Sequence, residues 1–174
     1  MGLEERKAVR IWLNDEGRKI MRKTMFALIT SATVALSAQA MAVDEPANII
    51  KYRQAVMKAI GGHTGAIVGV AKGEVSFIGH VAAHARAIHD MSKLIPDLFP
   101  KGSDRAAFAE TRALPDIWAD WAKFEAAARK LQEESARMIQ VAEGGGDAAA
   151  IGAQLQNMGK ACGGCHKPFR AEKK

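Results

Sequence analysis

Two thiols and an imidazole lie together near the end of this chain, in Cys162-Gly163-Gly164-Cys165-His166. Cys162 and Cys165 are the only cysteines among 174 residues. Two cysteines three apart with a histidine directly after the second form C-x-x-C-H, the attachment pattern of c-type haem. The chemistry needs that arrangement. Each thiol adds across a vinyl group of the porphyrin to give a thioether, and the adjacent histidine reaches iron as the proximal ligand. The imidazole ligates in its neutral form, its other ring nitrogen donating to a carbonyl or water. The two glycines add no bulk where the porphyrin edge lies. Other chemistries fit less well. Structural zinc wants about four ligands. A thioredoxin-like pair wants a βαβ context. A disulfide across so small a loop would stabilise little.

The N-terminal part reads as a targeting segment. In Met21–Ala42, MRKTMFALITSATVALSAQAMA, Arg22 and Lys23 precede a short apolar run, and small residues follow at cleavage spacing. This is the layout of a secretory signal peptide. The run is shorter than the roughly 20 apolar residues that span a bilayer. Residues 1–20 precede a plausible initiator at Met21 and read as an extension outside the fold. Export of residues 43–174 to the periplasm is the expectation. That segment keeps 18 of the 25 Lys and Arg and 15 of the 19 Asp and Glu, a net charge of +3. So mild an excess argues against nucleic-acid binding and suits docking on an acidic protein partner.

The exported part must position the motif with helices. Apolar residues recur at spacings of three and four, with many alanines and few β-branched runs. A first helix is predicted over about Pro46–Ala71, with Asp44 as a possible cap. Its Gly61, Gly65 and Gly69 fall four apart, which implies close approach of a helix or flat ligand, or else local kinking. A second helix is predicted over about Ser76–Leu94, capped by Ser76. A long connection, Pro96–Leu114, follows. A third helix is predicted from Pro115 to about Glu143, and Gly144-Gly145-Gly146 ends it. Asp147 should cap a fourth, which carries Ile151, Leu155, Met158, Cys162 and Phe169. Four helices with short joints predict an all-α fold, an antiparallel four-helix bundle holding covalent haem in one domain over residues 43–174.

A C-x-x-C-H motif at the end of an exported four-helix chain resembles the class II c-type cytochromes, the cytochrome c′ family. IKYRQAVMKAIGG (Ile50–Gly62) looks like that family's first helix and LPDIWADWAKFE (Leu114–Glu125) like its third. MGKACGGCHKPFR (Met158–Arg170) looks like its haem helix and is the most specific of the three. The resemblance implies one haem c per chain, carried inside the bundle. It also implies a deciding position on the first helix, here Met57, four places after Arg53 and five after Tyr52. A methionine ligand there would favour low-spin iron with a raised potential, the mark of an electron carrier. The alternative is that Met57 only packs over the haem. The face is then open, and the protein binds nitric oxide or carbon monoxide. The wider pattern resembles the family's low-spin Met/His branch. By the same resemblance Arg53 matches an arginine near a haem propionate, and Arg170 a basic residue beside the proximal histidine. Pro168 lies between His166 and Arg170 and removes a helix hydrogen bond to Gly164, which puts the place of Arg170 in question.

Met158, Met91 and Met138 read as core. Trp118, Trp121 and Phe124 read as core and haem-facing bulk. His80 and His84, one turn apart, could offer a two-point metal site, with solvated or core histidines favoured in the absence of a third ligand. His63 and His89 show no partner in sequence. A peroxidase would need distal acid–base groups, and the surroundings of Met57 (Ala55, Val56, Ile60) are apolar. The reading is therefore a periplasmic electron carrier, not an enzyme. Its partners are periplasmic redox proteins, and pairing through the first two helices would make a homodimer.

Overall fold

A computed structural model describes residues 45–172. The extension 1–20, the signal segment 21–42 and the Asp44 cap lie outside the described residues.

Helix α1 spans Pro46–Ala71, with Pro46 in its first turn and Glu45 extended before it, its side chain making no cap bond. Four interior glycines cost about 1 kcal/mol each in helix propensity. Burial of Ile50, Val56, Ile60, Ile67 and Val70 along one face offsets that cost, and the helix runs unbroken. The glycine column meets no neighbouring helix among the described residues. A Cβ at Gly61 or Gly65 would have nothing within 4 Å, and one at Gly69 would reach only Glu74 and Val75 at 3.8 Å.

Helix α2 begins later than its sequence pattern suggests, at Val81, and runs to Lys93. Phe77 holds non-helical torsions, so Ser76 cannot cap a continuous helix, and a 3₁₀ turn at Ile78–His80 leads in instead. The third element is split. Asp116–Ala119 forms one isolated turn, and helix α3 spans Trp121–Glu143. Asp120 causes the break: its backbone leaves helical torsions, and its side chain accepts a hydrogen bond from the Lys123 amide at 3.2 Å. Aspartate competes for backbone donors in a helix interior and is better placed as a cap.

Gly145 turns the chain at φ 79°, a conformation glycine adopts without strain. Asp147 then caps helix α4, Ala148–Phe169, accepting from the Ala150 amide at 2.8 Å. Pro168 sits in the last turn, yet the helix persists to Phe169. Arg170 is extended and makes an isolated antiparallel bridge with Ala113. The Leu114 amide donates to the Phe169 carbonyl at 3.0 Å and the Ala171 amide to that of Arg112 at 2.8 Å. The end of α4 is thus tied to the long connection.

The helices close into an antiparallel bundle in which α1 packs on α2 and α4, and α3 packs on the same two. Ile67, Val81, Ala85, Ile88, Met138, Ile151 and Met158 are buried in one core, with Met91 packed against it. A polar bolt crosses from α3 to α4. Gln154 Nε2 donates to the Glu134 carboxylate at 2.8 Å and to its carbonyl at 2.9 Å. Lys130 and Arg137 each reach Glu134 at 2.9 Å.

Candidate haem site

The bundle is not filled along its whole length. A cavity of about 560 Å³ lies among α1, α3, α4 and the connection between α2 and α3. That is within the size range of cofactor sites, roughly 300–1,000 Å³. Helix α4 presents Cys162, Cys165 and His166 to it, because these positions continue the inward stripe of Ile151 and Met158. Helix α1 presents Arg53, Met57 and Ile60, and α3 presents Phe124, Ala128 and Leu131.

The thiols do not have the electrostatic setting of a reactive redox pair. Burial pushes Cys162 up, and pushes Cys165 up to about 11 with the Cys162 thiol adding to the effect. Reactive redox cysteines have lowered values instead. Burial also lowers His166, and the nearby Arg170 and Arg112 guanidinium groups lower it further. Its imidazole is therefore kept neutral, the form that ligates iron. No group of three or more His, Cys, Asp or Glu able to hold a metal ion occurs among the described residues, so a zinc cage of about four ligands is not assembled among them. An apolar cavity with two thiols and a neutral imidazole on one wall fits haem c.

Arg53 is no surface arginine: it is 3 % exposed. It donates to Ser103 Oγ at 2.8 Å, to the Ser103 carbonyl at 2.6 Å and to Thr111 Oγ1 at 2.6 Å. Its guanidinium lies 4.8 Å from the centre of the Phe99 ring. Burial lowers its value to about 10, with Asp104 opposing the shift, so it stays charged at neutral pH. It clamps the connection onto α1 while lining the cavity. Arg170 also borders the cavity from its extended position beyond α4.

Several contributors were not visible in sequence. Ser103, Thr111 and Phe99 come from the long connection, and so does Arg112, whose charge acts on His166. Phe124 lines the cavity, but Trp118 and Trp121 do not: Trp121 packs tilted against Phe124, ring centroids 5.4 Å apart, and Trp118 donates to the Phe99 carbonyl at 2.9 Å. The sequence favoured solvated or core histidines over a His80–His84 site, and the contacts formed are others. His84 meets His63, Nδ1 to Nδ1 at 2.9 Å, while His80 stacks on Phe77. His89 Nδ1 contacts the Gln132 carbonyl at 3.0 Å.

Comparison with known proteins agrees with this construction. The family model described as Cytochrome C′ matches residues 48–170. The chain is 35 % identical over 155 residues to the cytochrome c′ of Rhodospirillum rubrum, covering 89 % of this chain and 99 % of that one. It is 32 % identical over 125 residues to a cytochrome c-556 of Agrobacterium tumefaciens, covering 71 % and 98 %. The crystal structure of cytochrome c′ from Rubrivivax gelatinosus superposes with a TM-score of 0.65 at 32 % identity, covering 74 % of this chain and 98 % of that one. With the motif on the wall of a fitting cavity and the match running almost the length of the bundle, the chain belongs to the cytochrome c′ family, with haem c as its cofactor.

Proposed function

We propose that this protein is an exported electron carrier whose iron is held by His166 and Met57. The observation that carries the reading is that Met57 on α1 and His166 on α4 line the same apolar cavity. Bound haem supplies a one-electron ferric/ferrous couple. The chain supplies the surroundings. His166 offers a neutral nitrogen, and the Met57 thioether is a soft ligand that raises the potential of His-ligated iron. Ile60, Phe124, Ala128 and Leu131 exclude water, which keeps the local dielectric low. Cys162 and Cys165 anchor the group covalently. Arg53 makes three hydrogen bonds to the connection and has five N–H donors, so two remain for a haem propionate. Arg170 supplies positive charge near His166.

Translation starts at Met21 rather than upstream of residues 1–20, residues 21–42 act as the signal for export, and residues 43–174 are the periplasmic domain. No helix among the described residues is long and apolar enough to cross a membrane. Redox proteins of the periplasm are the partners, met through a mildly basic surface.

A second reading draws on the α1 wall. Met57 and Ile60 are apolar there, and the Thr64 hydroxyl is spent on the Ile60 carbonyl at 2.8 Å. If Met57 packs without ligating, this face suits nitric oxide or carbon monoxide.

Optical spectra of the haem-loaded protein, with and without carbon monoxide, test the choice. The expected parent spectrum is low-spin and barely altered by carbon monoxide. Met57→Ala should turn it high-spin and carbon-monoxide-binding. A high-spin parent that binds carbon monoxide readily would overturn the Met57 ligand and put gas binding first.

A further inference from the structure

The chain has five histidines, and only His166 belongs to the haem cavity. Two of the others, from different helices, meet at one point. His63 on α1 and His84 on α2 place their Nδ1 atoms 2.9 Å apart, with ring centroids 5.2 Å apart and planes inclined at 50°. As two imidazoles alone, they make one weak hydrogen bond, one ring donating and the other accepting. The same separation has a second meaning. For metal–nitrogen bonds of about 2.0–2.1 Å, two ligands at a right angle stand about 2.9 Å apart, whereas tetrahedral ligands stand about 3.3 Å apart. Right-angled nitrogen ligands belong to tetragonal Cu(II) and Ni(II).

The surroundings suit an ion with an incomplete protein shell. Both rings are half-buried, so their packing on the two helices limits their freedom. Neither histidine is fully buried, and Gly62 beside His63 is exposed, which leaves room for water ligands on the outer side. Burial first, then the neighbouring His63 and His80, lowers His84, so it is neutral and able to ligate near pH 7.

We propose that His63 and His84 form a two-imidazole site for a divalent transition ion of tetragonal preference, Cu(II) ahead of Ni(II), with water completing the shell. The site is separate from the haem cavity. Occupancy would staple α1 to α2, and binding to the folded state alone would stabilise the bundle. Copper tops the affinity order of the divalent series for nitrogen donors, which sets the expected preference.

The test titrates Cu(II) into the untagged, haem-loaded protein, in which Cys162 and Cys165 are blocked as thioethers. Binding is followed by calorimetry and by electron paramagnetic resonance. One Cu(II) per chain should bind, with a tetragonal signal coupled to two nitrogens. His63→Gln or His84→Gln should each weaken binding by about 100-fold, because two-point attachment becomes one-point. His89→Gln should leave affinity unchanged, and the haem spectrum of each variant verifies its fold. Failure of the parent to take up stoichiometric Cu(II), or parent-like binding by both pair variants, would overturn the site and leave the two rings as a hydrogen bond only.

Discussion

The two halves of α4 follow one stripe and do opposite things. In the N-terminal half, Ile151, Gln154 and Met158 are buried against protein, and Gln154 is bolted to Glu134. In the C-terminal half, Cys162, Cys165 and His166 continue the stripe but face a cavity of about 560 Å³. One half is stabilised by what the chain itself packs there. The other is completed by what the chain attaches. An inward position in a helix pattern therefore says that water is excluded, and says nothing about what excludes it.

Breaking the second half should have the largest effect. Cys162→Ala with Cys165→Ala should abolish covalent haem, read as loss of haem absorbance on the denatured chain. It should also remove cooperative melting. At about 24 cal/mol per Å³, an unfilled cavity of this size costs on the order of 10 kcal/mol, comparable with a whole domain's stability of about 5–15 kcal/mol. Water entering lowers that figure but leaves the lining without packing partners.

The core that packs on the first half, in which Met138 of α3 lies with Ile151 and Met158, should respond in the opposite manner. Met138 is fully buried in the core away from the cavity lining. Met138→Ala should cost about 2–5 kcal/mol in denaturant unfolding, with the haem spectrum unchanged. A spectral change would show that the two halves are coupled more tightly than their packing indicates.

The smallest effect sharpens the comparison through pH. Hydrogen bonds from Lys130 and then Gln154 hold the Glu134 carboxyl below its ordinary 4.5, against the opposing effect of burial. Its folded value is below its unfolded one, so its contribution is present above about pH 4.5 and lost as pH falls through the lower folded value. Melting temperatures taken from about pH 6 to pH 3 should show a shallower acid slope in Glu134→Gln than in the parent. Equal slopes would mean that the bolt holds by geometry alone.

Chain-local features are legible in the sequence itself. Cys162, Cys165 and His166 are covalently near neighbours, so their chemistry follows from spacing. Asp147 caps α4, and Gly144–Gly146 ends α3, because caps and turns depend on a few adjacent residues. Local reasoning fails at Asp120, where pattern alone would carry the third helix on from Pro115, and at Phe77, whose torsions postpone α2. It also cannot place Trp118 and Trp121 behind the cavity wall, since both stay on the apolar side of a helix pattern either way.

By itself, then, the sequence determined the C-x-x-C-H spacing that suits haem attachment, the four helices and the inward stripe of α4, all set by contacts within a few residues. Only the tertiary structure decided that Arg53 clamps Ser103 and Thr111, that Arg112 acts on His166, and that His84 meets His63 rather than His80. These pairs are separated by 50, 58, 54 and 21 positions in the chain. The register and crossing of packed helices bring them together, and those depend on the whole core at once.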